Sequence, residues 1–98
     1  MERKMVYERL DVERDYQDSR WTNDVNAIPD EEKSVAEWIL YMEHHLNKAK
    51  EQVYYLNEYG ALSEIRKVTA LGVRTMEIHG CPSRQPIDNL ANENTEVK

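Results

Sequence analysis

The sequence predicts an all-α protein, and three observations carry that expectation. Apolar residues recur three and four apart through most of the chain, and strand-like alternation is absent. Residues that interrupt helices are scarce, with three glycines and three prolines in 98 positions.

Three main helices follow from the periodicity. The first is expected from about Lys4 to Ser19, with Met5, Val6, Leu10 and Tyr16 as its apolar positions. So thin a stripe predicts a surface helix with one buried edge. Trp21 is placed to close its end. The connection "TNDVNAIPDEEK" carries Asn, Asp and Pro29, which favour turns over helix continuation.

The second helix has the clearest start. Ser34 followed three residues later by Glu37 is a capping box, in which hydroxyl and carboxylate each satisfy an orphan backbone N–H. From there Val35, Ile39, Met42, Leu46, Ala49, Val53 and Leu56 recur at alternating spacings of four and three, a heptad seam that Trp38 widens on one side. This helix is expected to reach about Asn57, with Gly60 punctuating the turn. The third is expected from about Leu62 to His79, closed by Gly80 and Pro82. Its apolar residues Ile65, Val68, Ala70, Leu71, Val73, Met76 and Ile78 point in nearly every direction, which predicts a central position or a subunit interface. Gly72 lies in its interior at a cost of roughly 1 kcal/mol against Ala, which predicts close approach by a neighbouring helix backbone. Residues 1–80 thus form one helical domain, and the tail 81–98, with no periodic face, is expected to be mobile.

Composition bounds the function. A chain of 98 residues buries a modest core, so a homo-oligomer, dimer or higher, is expected. The net charge of −6, with no basic block, argues against duplex nucleic acid as a partner. The start "MERKMVYERL" lacks an apolar leader core and no run of about 18 apolar residues occurs, so no membrane association is expected. Cys81 is the only cysteine, which fits a reducing compartment and a cytoplasmic protein. It follows the last helix, where the helix dipole disfavours a thiolate nucleophile. His44 and His45 are about 100° apart on their helix, with no His or Cys three or four residues on, so they do not form a metal pair.

The order "ERDYQDSRW", loop, "SVAEWILYMEHHLNKA", turn, "LSEIRKVTALGVRTMEIHG" resembles the helical core of the MazG-like, all-α nucleoside triphosphate pyrophosphohydrolases, in particular short phage-encoded members. In active members one helix carries Glu-Glu-x-x-Glu and the next Glu-x-x-Asp, and the carboxylates gather Mg²⁺ around the triphosphate. Carried onto this chain, the first motif falls on "EHHLN", where Glu43 keeps one acid while His44 and Asn47 replace two. The second falls on "EIRK", where Glu64 is kept and Lys67 replaces the Asp. Losing three carboxylates and gaining a lysine raises the local charge by about four units, which repels a hard cation and attracts phosphate.

The resemblance therefore implies a nucleotide-binding protein without a cofactor, in which Lys67 stands in for the cation. Arg20, Trp21, Glu43, His44, Asn47, Glu64, Lys67 and Arg74 are the candidate ligand-binding residues. In a phage protein such a site suggests sequestration of a host nucleotide second messenger. Two alternatives stay open. One is an active Mg²⁺-dependent pyrophosphohydrolase using Glu43 and Glu64, and the other is a helical adaptor whose heptad seam docks a partner helix. Without the resemblance, Glu43 with Asn47 and Glu64 with Lys67 read as ordinary solvated pairs on helix surfaces.

Overall fold

The computed structural model describes residues 1–21 and 28–85. They form α1 (Arg3–Trp21), a 3₁₀ turn (Asp30–Glu32), α2 (Val35–Tyr54) and α3 (Glu58–His79). The all-α expectation holds, with no strand among the described residues. Among those residues no helix is long and apolar enough to cross a membrane. The side chain of Trp21 and most of the tail lie outside the described residues.

The Ser34 capping box forms as predicted, with Glu37 N–H donating to Ser34 Oγ and Ser34 N–H donating to Glu37 Oε1, each at 3.2 Å. The turn after α2 is built differently from the expectation. Leu56 takes a left-handed conformation, φ 55°, and Asn57 caps α3 by accepting from Gly60 N–H at 3.0 Å. Gly60 is therefore inside the first turn of α3, which starts four residues earlier than the periodicity implied. Its lack of a side chain matters there. A Cβ would fall 2.5 Å from Asn57 Nδ2 and 2.8 Å from Gln52 Oε1, the two groups that hold the cap in place. Gly80, at φ 106°, ends α3 as expected.

Only three residues separate α2 from α3, so the two pack as an antiparallel hairpin. The contacts run in that sense: Gln52 lies by Gly60, Met42 by Gly72, and the Lys33 carbonyl 2.9 Å from His79 Nε2. α3 is central, touching α2 on one side and α1 on another. Among the described residues no backbone makes the expected close approach at Gly72, and a Cβ there would meet Met42 Sδ at 3.8 Å, an ordinary contact.

The core is small. Its buried apolar side chains among the described residues are Leu10, Trp38, Ala49, Ala70 and Leu71, and Trp38 is fully enclosed at 0 % exposure. On α2 the row facing α3 is Trp38, Met42, His45, Ala49 and Gln52, a heptad row one step round the helix from the predicted seam. The seam residues Val35, Ile39, Leu46 and Val53 are exposed. α1 is the surface helix that its thin stripe predicts, but its buried edge is polar, with Glu13, Arg14 and Gln17 beside Leu10.

The 3₁₀ turn is tied across the end of the hairpin by charge. Asp30 accepts from Arg74 Nε at 3.0 Å and from Lys33 Nζ at 3.1 Å. Burial alone would raise the Asp30 carboxyl, but the hydrogen bonds and charges of Arg74 and Lys33 outweigh it and hold it below its ordinary value of 3.8. A carboxyl depressed in the folded state stabilises fully above its unfolded pKa, and that contribution disappears as pH falls through the lower folded value. Asp30→Asn is thus expected to cost about 1–2 kcal/mol at pH 6. Thermal melts of the variant and the wild type should converge as pH falls below 3.8 and through the lowered folded value; a gap that stayed constant from pH 6 down to acid unfolding would show that charge is not what ties the turn.

Candidate functional site

α1 leans on α3 through polar contacts and leaves a groove along their junction. Glu13 Oε1 accepts from Arg66 Nε at 2.8 Å, and Arg14 reaches Glu77 and Asp18 at 2.9 Å each. Gln17 Nε2 donates to the Lys67 carbonyl at 3.4 Å. Residues 9, 12 or 13, 16 and 20 share one side of α1, because three- and four-residue steps return to the same helix face. That side supplies one bank of the groove.

Two connected hollows make up the groove. The first, of about 450 Å³, is lined by Arg9, Val12, Glu13, Tyr16, Arg66 and Lys67. The second, of about 330 Å³, shares Glu13, Tyr16 and Lys67 and extends to Gln17, Arg20, His45 and Leu71. Tyr16 stands between them, about half exposed, and Leu71 provides an apolar floor. Four permanent cations thus line one groove. Arg66 is engaged by Glu13, whereas Arg9 and Arg20 make no ion pair among the described residues.

Below the groove lies a cluster of three ionisable side chains. Glu64, its side chain 9 % exposed, puts Oε2 at 3.5 Å from both His45 Nδ1 and Lys67 Nζ. Glu64 Oε2 and His45 Nδ1 are shielded from solvent, and neither makes a hydrogen bond. Lys67 and Glu64 attract by charge, and Oε2 and Nδ1 keep unused hydrogen-bonding capacity.

The predicted site residues divide between separate places. Glu64 and Lys67 meet, and Arg20 lines the same groove as Lys67. Trp21 ends α1 beside Arg20, its side chain outside the described residues. Glu43 and Asn47 are exposed and lie well over 100° round α2 from the row facing α3, so they do not converge with Glu64. His44 lines a different cleft, of about 290 Å³, with Lys33, Trp38 and Tyr41. Arg74 is occupied by Asp30, with Glu31 at 3.4 Å and Glu77 at 3.9 Å, and serves as the tether for the 3₁₀ turn. Burial would lower its pKa, but the Asp30 hydrogen bond and the surrounding carboxylates raise it.

Arg9, Glu13, Tyr16, Gln17 and His45 belong to the groove and were not singled out from the sequence as ligand-binding residues. A signal existed for two of them. Arg9 and Tyr16 fall at helical spacing with the predicted Arg20, along the edge of the thin apolar stripe of α1. Among the described residues no group of three His, Cys, Asp or Glu side chains is arranged to hold a metal ion.

Fold and groove define a small three-helix protein with a cationic, partly aromatic groove along its first and third helices. Comparisons of the chain with protein families, with curated proteins and with solved structures find no match.

Proposed function

We propose that this protein binds a small phosphorylated ligand of the nucleotide type in the groove between α1 and α3 and leaves it intact. The observation that carries the reading is the row of Arg9, Arg20, Arg66 and Lys67 along a groove in which Tyr16 offers an exposed ring. Guanidinium and ammonium groups recognise phosphate oxygens, and an aromatic face stacks a base. His45 lines the inner end of the groove, with Glu64 behind it and its Oε2 shielded from solvent.

The MazG-like resemblance supports the same ligand class through its helix order and through the basic residue at position 67. It also suggests a role, the withdrawal of a nucleotide second messenger from host signalling by a phage protein. The hydrolytic alternative is less favoured, because Glu43 faces away from Glu64 and Glu64 is already held by Lys67 and His45.

Calorimetric titration with nucleoside triphosphates and cyclic dinucleotides, in EDTA and in Mg²⁺, tests the reading. Saturable binding in EDTA with the ligand recovered intact is the expected result. Lys67→Ala and Arg20→Ala are each expected to weaken it roughly 10- to 100-fold, the loss of one charge-assisted contact. Absence of binding across the panel would overturn the reading, as would Mg²⁺-dependent release of pyrophosphate.

A further inference from the structure

The α2–α3 hairpin has two broad sides. One carries α1 and the groove. On the other no described residue outside the hairpin packs, and both helices present apolar rows there. On α2 the row is Val35, Ile39, Leu46 and Val53, exposed by 46, 55, 47 and 65 %. On α3 it is Leu62, Ile65 and Met76, exposed by 63, 48 and 41 %, with Thr69 and Gly72 between them at the same heptad spacing. The rows border each other, since Met42 Sδ at the edge of the first is the atom nearest to Gly72 in the second.

We infer that this face pairs with a second copy of itself, α2 lying antiparallel on α2 of the partner subunit, to complete a four-helix bundle. Three observations specify that occupant. The first is size. A face two helices wide, at about 10 Å each, and about 27 Å long covers about 540 Å² in plan. With side-chain relief this is of the order of the roughly 800 Å² that each partner contributes to a standard interface. Among the described residues five apolar side chains are buried, whereas all seven on this face are exposed.

The second is charge. Glu43 and Lys50 occupy the same heptad position, flanking the seam on either side of Leu46. A two-fold axis through Leu46 sets Ile39 against Val53 of the partner subunit and Glu43 against Lys50 of the partner subunit, with the reciprocal pairs formed by symmetry. A parallel arrangement would set Glu43 against its own copy.

The third is shape. Met42 and Gln52 are level with Gly72 and Gly60, so Leu46 is level with Lys67 on α3. The same axis then sets Leu62 against Gly72 of the partner subunit, large against small. This gives Gly72 the close approach that nothing among the described residues of one chain supplies. The surface is separate from the groove, so self-association and ligand binding stand or fall independently.

Sedimentation velocity at 10–100 µM reads the result directly. The wild type is expected at twice the 11.6 kDa of one chain, and Leu46→Glu at the single-chain mass. Glu43→Lys is expected to weaken the dimer about tenfold, and the double variant Glu43→Lys, Lys50→Glu to restore it. Because Leu46→Glu removes a surface on which the small fold relies, a cross-link provides a second reading. Leu46→Cys in a Cys81→Ser background should join two chains through a short bis-maleimide, whereas Lys48→Cys, exposed on the opposite side of α2, should not. A wild type at single-chain mass, an unaffected dimer in folded Leu46→Glu, or equal cross-linking at 46 and 48 would each overturn the inference.

Discussion

Trp38→Ala is expected to lower the melting temperature by roughly 15–30 °C and to leave much of the protein unfolded near 37 °C. Trp38 is the one large side chain with 0 % exposure among the described residues, and it borders a cleft with Lys33, Tyr41 and Leu71 of α3. Its ring stands edge-on to Tyr41 at 5.9 Å between centroids, with Lys33 Nζ 5.3 Å from its centre. Removing a buried tryptophan costs about 3–5 kcal/mol. A chain this size has about 5–15 kcal/mol in all, and a core with so few apolar members places it at the low end. At about 4–8 °C per kcal/mol the stated shift follows. Circular dichroism melts at 222 nm measure it, with Trp38→Phe expected to recover a large part. A shift below 5 °C would mean that Trp38 does not organise the core.

The second large effect is local. Arg14→Ala is expected to release α1 while the α2–α3 hairpin stays helical. Arg14 has a side chain 9 % exposed and reaches Glu77 Oε1, Asp18 Oδ1 and Gln17 Oε1. Its carboxylate partners are about half exposed, which limits what the charges contribute, so a loss of about 2–3 kcal/mol is appropriate. Among the described residues Leu10 alone gives α1 a buried apolar anchor, so the polar contacts of Arg14 carry much of its docking. Hydrogen exchange should show α1 amides losing protection roughly 30- to 150-fold, with the protected amides of α3 nearly unchanged. Arg14→Lys should rescue poorly, because one ammonium cannot span the three acceptors that the guanidinium fork reaches. Equal loss across all three helices would show that α1 and the hairpin unfold as one unit. Since α1 forms one bank of the groove, ligand binding should fall together with its protection.

Much of the fold was legible in order. Helix count, the Ser34–Glu37 box and the Gly80 stop are local matters, set by residues within a turn of each other. The turn after α2 was legible less well, because two features compete there. Gly60 reads as a breaker, yet Leu56 takes the left-handed conformation and Asn57 folds its side chain over the start of α3. Periodicity fixed the apolar rows on α2 but not which of them faces α3. Trp38, the largest apolar side chain on α2, turned the helix so that His45 and Gln52 join the inward row and Ile39, Leu46 and Val53 look outward.

That rotation also decided the candidate site. The motif positions Glu43, His44 and Asn47 depend on which side of α2 meets α3, and the chosen side brings His45 to Glu64 instead. The sequence alone determined an all-α chain with three main helices, a capping box at Ser34 and a stop at Gly80. Helix formation and capping are short-range, so they are written residue by residue. Only the tertiary structure decided that Glu13, Tyr16, Arg20 and Lys67 share a groove and that Arg74 is spent on Asp30. Those groupings depend on how helices rotate and lean on one another, and that is set by the packing of Trp38 and the polar edge of α1, which no single stretch of sequence contains.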